Sequence, residues 1–555
     1  MLNISLRIRA AVLTLLVLAP CTVMAAPVLP YSGDMDGAGS VTDQRNDTLA
    51  AAIADAYATN PLLAARRYDQ RALDDEIGVA LSQARPTSQV ELAGSYDLTL
   101  PGDTTQAQRS ATDRLNARNV ERNDMAGRLI IDQPLWTGGR ATSALRAASR
   151  ASLAGLQSLR SAEGDLLLDV VAAYTQTLQD MLALDIRRDN VKALQELMDE
   201  VAARRDAGEL TRTDLAQARV QVQAAQVQLQ VAEAQLQSSR AAFAALVGRA
   251  PGGLAQPPEL PGLPASFDIA LDLAQANNPE LAGAIATERA SRARIAQARA
   301  ERMPQLALRA TAAATGPAVP FYARDQDISF AGRATLIVPL STGGRVRAQV
   351  SQAQNRNLAD ELRIEATKRQ VVQSLVLAWN QWTAAEQNIV AQQAQLAAAA
   401  TFLEGSLAEY RQGLRSTFDV LFAQNSLRDA QIGLLESQRT SYVAQASVLR
   451  RIGQLEAGRL LDGQTIEDPS RYAGKVKGRS AIPWGGLIRS IDRLGAPSER
   501  RPDTVPLAAG DARMKPAGKT AAPLKVIGGD LVHLPSSPAQ KGRILAGKPS
   551  RKRER

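Results

Sequence analysis

The chain has 555 residues, of which 45% are apolar, 22% charged and only 4% aromatic. So few aromatic side chains are poor material for a compact aromatic core but ordinary for long helices rich in Ala, Leu and Gln. Composition therefore favours a helical or coiled-coil class. The 65 Lys and Arg against 56 Asp and Glu give a formal net charge of +9.

The N-terminus predicts a secretory signal peptide over residues 1–25. Two arginines, Arg7 and Arg9, precede an apolar run that is too short to span a membrane as a helix, and a small-residue cleavage site ends at Ala25. An ordinary buried N-terminal helix is the alternative. Residues 26–46 are unpatterned and predict a flexible leader.

The only cysteine, Cys21, lies inside this signal. Its surroundings resemble a lipoprotein acylation site, but Pro20 stands where a small residue is expected, so acylation is disfavoured. The mature chain would contain no thiol, which excludes disulfides and cysteine-based metal sites or nucleophiles.

A first repeat is predicted over residues 47–250. Two helices separated by Asn60-Pro61 are followed by alternating apolar and polar residues over 87–100, and by a second strand over 124–136 that ends P-L-W-T-G-G-R. Each strand has about the length of a membrane-spanning β-strand. A long helix follows, and its 141–205 span would reach roughly 100 Å.

The returning segment of this repeat predicts a coiled-coil seam. Val220 and Val227 begin a series of small side chains that recurs every seven residues. A Pro/Gly-rich linker at 251–264 then separates this repeat from a second one over residues 265–458.

The second repeat follows the first at a constant offset. Gly138 and Gly139 correspond to Gly343 and Gly344, 205 residues later, and Asp214 corresponds to Asp419 at the same distance. Its strands are predicted at 305–315 and 328–340. The number of residues between the end of the strands and the aspartate is therefore the same in both repeats.

Equivalent arginines, Arg128 and Arg333, lie on the polar face of the second strand of each hairpin. They are candidates for lining a barrel lumen, or are simply charged side chains beside water. Four strands cannot close a barrel, and an open sheet edge in lipid would leave backbone groups unpaired. If the strands lie in a membrane, the chain must therefore oligomerise.

A glycine interrupts the long helices of each repeat and precedes an aspartate by six residues. Gly208 comes before Asp214, and Gly413 before Asp419, within R-D-A-G-E-L-T-R-T-D and Y-R-Q-G-L-R-S-T-F-D. Glycine at such a position allows the chain to turn, so both are predicted helix-turn tips.

Residues 47–458 resemble the TolC-type outer-membrane factors. The duplication, the T-G-G-R strand ends and Y-x-x-G-x-R-x-x-x-D-V-L-x-A at Tyr410–Ala423 carry the resemblance. It implies a mainly α fold with a membrane β-barrel part. Three copies would join twelve strands in one outer-membrane barrel, continuous with a periplasmic coiled-coil tunnel of twelve helices.

The resemblance also implies a gate at the periplasmic end. Tyr410 and Arg415 take the places of the gate's tyrosine and arginine, and Thr213 and Asp214 those of their partners in the first repeat. We expect Asp214 to accept hydrogen bonds from Tyr410 and Arg415. Alternatively, these are ordinary capping, packing and solvated residues.

A pore constriction is implied beside this latch. Asp419 matches the first of two aspartate rings, but Phe422 occupies the second position. One carboxylate ring next to an apolar ring predicts weaker cation block than a two-ring gate, and close carboxylates would raise one another's pKa.

The tail, residues 459–555, contains 20 Lys and Arg against 9 Asp and Glu and predicts a largely disordered segment. Anionic envelope surfaces or acidic proteins are possible partners, a solvated extension is the alternative, and nucleic acid is not expected. The sole histidine, His533, cannot form a metal cluster or triad, so neither cofactor nor enzyme activity is expected.

The sequence therefore predicts an exit duct of a tripartite export system. A periplasmic adaptor and an inner-membrane ABC or RND transporter would be its partners, since the chain has no phosphate-binding loop of its own. The T-G-G-R strand ends favour type I protein secretion over RND-type drug efflux. A periplasmic coiled-coil adaptor is the alternative from another class.

Overall fold

The structure, a computed structural model, describes residues 47–99, 120–318, 322–460, 470–479 and 484–499. The predicted signal peptide with Cys21, the leader at 26–46, and His533 lie outside these residues. The first repeat comprises helices α1 (Leu49–Thr59) and α2 (Pro61–Ser82), strands β1 (Thr87–Thr99) and β2 (Val120–Trp136), and helices α3 (Arg140–Asp206) and α4 (Arg212–Val247).

The second repeat has the same order of elements. It comprises α5 (Phe267–Asn277), α6 (Pro279–Ala300), β3 (Gln305–Pro317), β4 (Asp327–Ile337), α7 (Arg345–Arg411) and α8 (Thr417–Arg451). The two longest helices, α3 and α7, each contain 67 residues. In the described part of the chain, no helix combines the length and apolarity needed to cross a membrane.

The Asn-Pro pairs start the second helix of each repeat. The side chain of Asn60 accepts from the backbone N–H groups of Leu62 and Leu63, at 3.0 and 3.1 Å. Asn278 does the same for Glu280 and Leu281. Proline follows at the first helical position, where its missing N–H leaves no bond unmade.

The four strands form one antiparallel sheet in the order β1-β2-β3-β4. The two hairpins are therefore joined directly, because β2 pairs with β3, with Leu129 opposite Ala312. β1 and β4 lie at the edges of this sheet. It resembles one third of a barrel more than a closed structure.

The register sorts the sheet into one apolar and one polar face. Val90 pairs with Leu129, and Ala312 pairs with Phe330, so these side chains share a face. On the other face Glu91 pairs with Arg128, and Arg309 lies between Asp132 and Arg333. The Arg309 Nε to Asp132 Oδ1 distance is 2.6 Å.

The main core lies in the middle of the helical part. Trp379 of α7 packs edge-on against Trp382 at 5.1 Å and against Phe267 of α5 at 5.9 Å between ring centroids. A second, smaller cluster lies near the far ends of the long helices and contains Leu194, Val201, Leu215, Tyr410 and Val420, among others. It holds the two repeats together at that end.

The seam of α4 differs from the predicted one. Val220 and Val227 are 63% and 56% exposed, whereas Leu215, Ala218 and Val222 are buried. The heptad series is present in the sequence, but the stripe that packs against the rest of this chain is the neighbouring one formed by the buried residues. Within a single chain Val220 and Val227 do not form the packed stripe, and coiled-coil packing through them stays a prediction for assembled copies.

The strand-to-helix turns differ between the repeats although their sequences match. Gly138 and Gly343 both have positive φ, at 65° and 57°. A Cβ added to Gly138 would lie 2.2 Å from Cβ of Met303, whereas one added to Gly343 would meet nothing within 4 Å. Among the described residues, other parts of the chain leave the turn of the second repeat open and enclose that of the first.

Part of the predicted tail encloses it. Helices α9 (Ala457–Leu460), α10 (Ser470–Arg479) and α11 (Gly485–Asp492) lie beyond Gly458, where patterning was expected to stop. We call residues 470–479 and 484–499 together the strap. Val476 and Ile488 are buried against the first repeat. Two such short helices bury too few apolar residues to show a periodicity in a basic, Pro/Gly-rich sequence.

Candidate functional site

Two helix turns lie at the end of the molecule away from the sheet. In the first, Gly208 N–H donates to the Arg205 carbonyl at 2.9 Å and Glu209 N–H to the Arg204 carbonyl at 2.9 Å. Gly208 has φ +82°. This is the hydrogen-bond pattern of a Schellman motif, which needs a residue that tolerates the left-handed region.

The second turn repeats this arrangement. Gly413 has φ +77° and donates to the Tyr410 carbonyl at 3.0 Å, and Leu414 N–H donates to the Glu409 carbonyl at 2.9 Å. Both predicted helix-turn tips thus lie where a long helix ends. The duplication extends to the hydrogen bonds of the turn.

Each returning helix starts with a capping box. Thr211 Oγ1 donates to Asp214 Oδ2 at 2.7 Å, and Thr211 N–H donates to the same oxygen at 2.9 Å, while Asp214 N–H donates back to the hydroxyl. Ser416 and Asp419 make the equivalent bonds in the second repeat. Both aspartates therefore act locally as helix-start residues.

These bonds set the protonation of both carboxyls in the single chain. Hydrogen bonds from Thr211 lower the pKa of Asp214 below its usual value. Those from Ser416, with a smaller contribution from Arg415, lower the pKa of Asp419. The predicted rise for Asp419 requires neighbouring copies, so the isolated chain has the opposite direction.

Tyr410 is the buried residue of this site, with 2% of its surface exposed. The Arg204 guanidinium of the first repeat lies over its ring, 4.9 Å from the centroid. Arg204 Nε donates to Glu209 Oε2 at 3.0 Å, which fixes the guanidinium in place. This cation–π contact joins α3 to α7 next to the turns.

The expected bonds to Asp214 are not formed within one chain. Arg415 Nε donates instead to Glu409 Oε2 at 2.6 Å. The reason is proximity, because Glu409 lies in the same turn as Arg415, while Asp214 Oδ2 is already occupied by Thr211. Thr213 is exposed on the first turn of α4. The latch between these residues therefore stays a prediction for the assembled protein.

Three phenylalanines lie beside Asp419. Phe422 is stacked on Phe418, with ring centroids 6.5 Å apart, and packs edge-on against Phe402 at 6.2 Å. Phe418 and Phe422 are 55% and 56% exposed. The Arg415 guanidinium lies 5.9 Å from the Phe402 centroid. The position that departs from the two-aspartate pattern is thus part of an exposed aromatic cluster.

The site offers no metal or cofactor chemistry in the described ranges. No group of three or more His, Asp and Glu side chains there is arranged to hold a metal ion. The carboxylates of the turns are engaged by hydroxyl, amide and guanidinium groups of the same turns.

Sequence reasoning missed Arg204, Glu409, Thr211 and Ser416. The last two had a local signal, because T-x-x-D and S-x-x-D before an apolar run are variants of the capping box. Arg204 and Glu409 had none. They occupy equivalent positions 205 residues apart with opposite charges, and only the fold shows what each contacts.

A duplicated pair of helix hairpins with a joined sheet and turns at one end defines a channel-forming class. The chain belongs to the outer membrane efflux protein family, whose pattern matches residues 52–249 and 270–454. The match covers both repeats, including their strands. The resemblance to TolC-type factors is confirmed, and the adaptor alternative is wrong, since family members are outer-membrane channels.

Relatives of known name agree with this assignment. The chain is 28% identical to the outer membrane efflux protein BepC of Brucella suis biovar 1 over 468 residues, 84% of this chain and 96% of that protein. It is 24% identical to TolC of Salmonella enteritidis over 78% of this chain and 87% of that one. The alkaline protease secretion protein AprF of Pseudomonas aeruginosa is 26% identical over 59% and 69%.

The fold agrees with solved channels of the same kind. The open-state outer membrane channel MtrE of Neisseria gonorrhoeae superposes with a TM-score of 0.62 at 21% identity, covering 75% of this chain and 91% of that one. The protein is therefore an outer-membrane channel component of an efflux or secretion system and not an enzyme.

Proposed function

We propose that the chain forms a homotrimeric exit duct that carries cargo from an inner-membrane transporter across the periplasm and outer membrane. The observation that carries the proposal is the sheet, in which β1 and β4 lie at the edges and one face is apolar. Lipid does not tolerate such edges. Three copies would pair β1 of one with β4 of the next and close twelve strands.

Exposed side chains on the helices support the same assembly. Val220, Val227 and Val231 form an exposed apolar stripe on α4, and Leu377 of α7 is 56% exposed. Apolar stripes at coiled-coil spacing favour a neighbouring helix as their cover. Packing of three copies side by side would cover them and produce the helical tunnel.

The two helix turns would then form the periplasmic gate. Asp419 supplies one ring of three carboxylates, and the Phe422 clusters form an apolar ring beside it. Thr213 and Asp214 of one copy would meet Arg415 of the next copy, which requires Arg415 to leave Glu409. Tyr410 is buried in its own chain, so it would take part in the latch within one copy. The Arg204–Tyr410 contact would hold the two repeats of each copy together as the turns move.

Type I protein secretion is the proposed pathway, with a periplasmic adaptor and an ABC transporter as partners. The similarity to AprF, a protease secretion protein, favours it. Drug efflux with an RND transporter is the second candidate, favoured by the similarity to BepC, an efflux protein that aligns over more of the chain. Arg128 and Arg333 stay candidates for lining the barrel lumen, but Arg128 faces Glu91 and Arg309 binds Asp132 on the same face. Either cargo would therefore meet a lumen of mixed charge.

Assembly and gating are tested on the purified full chain. Its mass in detergent should correspond to three copies, and a monomer would refute the duct. In planar bilayers, Arg415→Ala and Asp214→Asn should each raise the closed-state conductance, because both remove the latch and the asparagine keeps the capping acceptor. Arg212→Ala, on the same exposed turn, is the matched control. Unchanged conductance in both variants would return these residues to local roles.

The cargo is tested in a host that lacks its own exit duct. Under the proposed pathway, the chain restores secretion of a protein carrying a type I signal when the cognate ABC transporter and adaptor are supplied. Restored drug resistance without secretion would instead select the RND candidate.

A further inference from the structure

The strap is anchored where β2 ends and α3 begins. Asp492 is 1% exposed, and its Oδ1 accepts from Thr137 N–H and Thr137 Oγ1, both at 2.7 Å. Gly139 N–H donates to the same oxygen at 3.3 Å, and Thr142 N–H donates to Oδ2 at 3.2 Å. A carboxylate from α11 thus caps the start of α3.

The strap lies on the apolar side of the sheet. Trp136 pairs with Leu306, which pairs with Leu336, so Trp136 shares the face of Phe330 and Val90. Its indole Nε1–H donates to the Leu494 carbonyl at 3.1 Å. In an outer-membrane protein this face meets lipid, and a tryptophan at the strand end lies at the membrane surface.

The exposed side of α11 carries an apolar stripe at that level. Trp484, Leu487, Ile491 and Leu494 follow one another at spacings of three, four and three residues, and they are 52%, 65%, 36% and 67% exposed. The buried side of the helix, with Ile488 and Asp492, is already used for docking. The stripe is therefore a surface that the described part of this chain does not cover.

Basic residues lie on the side of α11 away from the stripe. Arg489 and Arg493 are exposed there, and Lys475 and Lys477 are exposed on α10. Aromatic and aliphatic residues on one side with arginines on the other are typical of helices that lie in a membrane interface. The positive charge complements anionic phospholipid headgroups.

We propose that α11 is an interfacial helix that inserts its apolar stripe into the periplasmic leaflet of the outer membrane, with anionic phospholipid as its partner. A neighbouring copy is a poorer cover. The strap contacts Trp136 at the end of β2 and Met303 just before β3, the two central strands, whereas copies would meet at β1 and β4. The proposal rests on the outer-membrane location and holds for either cargo.

The test uses the full-length trimer reconstituted in vesicles of phosphatidylethanolamine and phosphatidylglycerol. In a Cys21→Ser background, a nitroxide is placed by Leu487→Cys or, as the matched control on the same helix, by Gly486→Cys, which lies on the side of Arg489 and Arg493. Both positions are exposed, and a Cβ added to Gly486 meets nothing within 4 Å, so neither label disturbs a packed contact. The label at 487 should be more accessible to oxygen than to a water-soluble nickel chelate, and the label at 486 should show the reverse.

Two results would overturn insertion. Free access of the nickel chelate to position 487 would place the stripe in water, and protection of that position from both reagents would place it under protein, as in contact with a second copy.

The headgroup partner is tested with the same label. Arg489→Gln and Arg493→Gln should each lower the equilibrium constant for insertion of the stripe into the membrane by about fivefold. Replacing the vesicles by phosphatidylcholine vesicles should lower this constant by a comparable factor. Equal insertion in every case would overturn the anionic partner. Because conductance and cargo are not measured, these outcomes are independent of the proposed gate and pathway.

Discussion

Asp492 should decide whether the strap stays docked, and Asp492→Ala tests this directly. The substitution removes an acceptor that receives four hydrogen bonds in a buried position. Loss of a helix cap costs about 1 kcal/mol, and each buried donor left without a partner adds about 1–3 kcal/mol. Some of these donors regain water once the strap lifts, so we expect the docked state to lose roughly 2–4 kcal/mol.

Trypsin measures this loss through Arg489 and Arg493, which are exposed cleavage sites within the strap. When opening and closing are fast relative to cleavage, the rate follows the open population. The expected loss corresponds to a roughly 30- to 900-fold faster cleavage. If the wild-type strap is less stable than that, the rate saturates at the value for an unfolded segment.

Two related variants provide comparisons for the cleavage rate of Asp492→Ala. Asp492→Asn keeps the oxygen facing Thr137 but loses the charge, so its rate should be intermediate. Asp272→Ala, an exposed aspartate on α5, should leave cleavage unchanged. If Asp492→Ala changes cleavage less than about twofold, docking does not depend on this carboxylate and the reasoning fails.

Three further experiments test other parts of the fold. Gly138→Ala should lower the thermal stability measured by calorimetry by more than Gly343→Ala. Both variants place a side chain on a backbone with positive φ, which costs about 1 kcal/mol, but only the Cβ at 138 also meets Met303 Cβ, at 2.2 Å. Equal losses of stability in the two variants would contradict this. Arg450→Met should cost about 1.5–3 kcal/mol, because it removes charge-assisted hydrogen bonds from a 2% exposed guanidinium to Asp165 and Glu280. Those carboxylates are 58% and 35% exposed, so water solvates them in the variant. A thermal midpoint close to wild type would contradict this. The lowered pKa of Asp214 means that its stabilising bonds to Thr211 are present above pH 3.8 and lost as pH falls through the folded value. Hydrogen-exchange protection of the first turn of α4 should therefore drop as pH falls below that value in the native protein. In Asp214→Asn, which keeps a capping oxygen but does not titrate, this drop should be absent, and the same drop in both proteins would contradict the reasoning.

The repeat architecture was predictable because its determinants are local. Asn-Pro at the helix starts, glycine at positive φ and alternating strands each act through neighbouring residues, and the constant offset shows them twice. Pairing of β2 with β3 was less accessible, because strand neighbours far apart in sequence leave no local signal. The extension of β2 back to Val120 depends on its pairing with β1, in which Val120 lies opposite Thr99.

The gate was only partly predictable because its contacts depend on how helices meet. Both turns could be placed from Gly208 and Gly413, and a capping alternative for Asp214 and Asp419 was already apparent. The partner of Arg415 could not be placed, since Glu409 competes with Asp214 and the outcome depends on geometry. The strap was missed because its docking depends on one buried carboxylate, that of Asp492. An aspartate in a basic, Pro/Gly-rich sequence is expected to be exposed to solvent.

The two repeats have kept the residues that set the backbone and diverged in those that make contacts between them. Gly208 and Gly413 form the same turn, but the residues that precede the turns are Arg204 in one repeat and Glu409 in the other. Arg204 packs on Tyr410, and Glu409 binds Arg415. The strap also covers the strand-to-helix turn of the first repeat but not that of the second. In a trimer, the six repeats would therefore be of two kinds, so both the turn end and the sheet end would have threefold and not sixfold symmetry. In the proposed trimer, opening of the proposed gate would therefore move one helix pair of each copy while the other keeps its packing. The residues to examine for that motion are those that differ between the repeats.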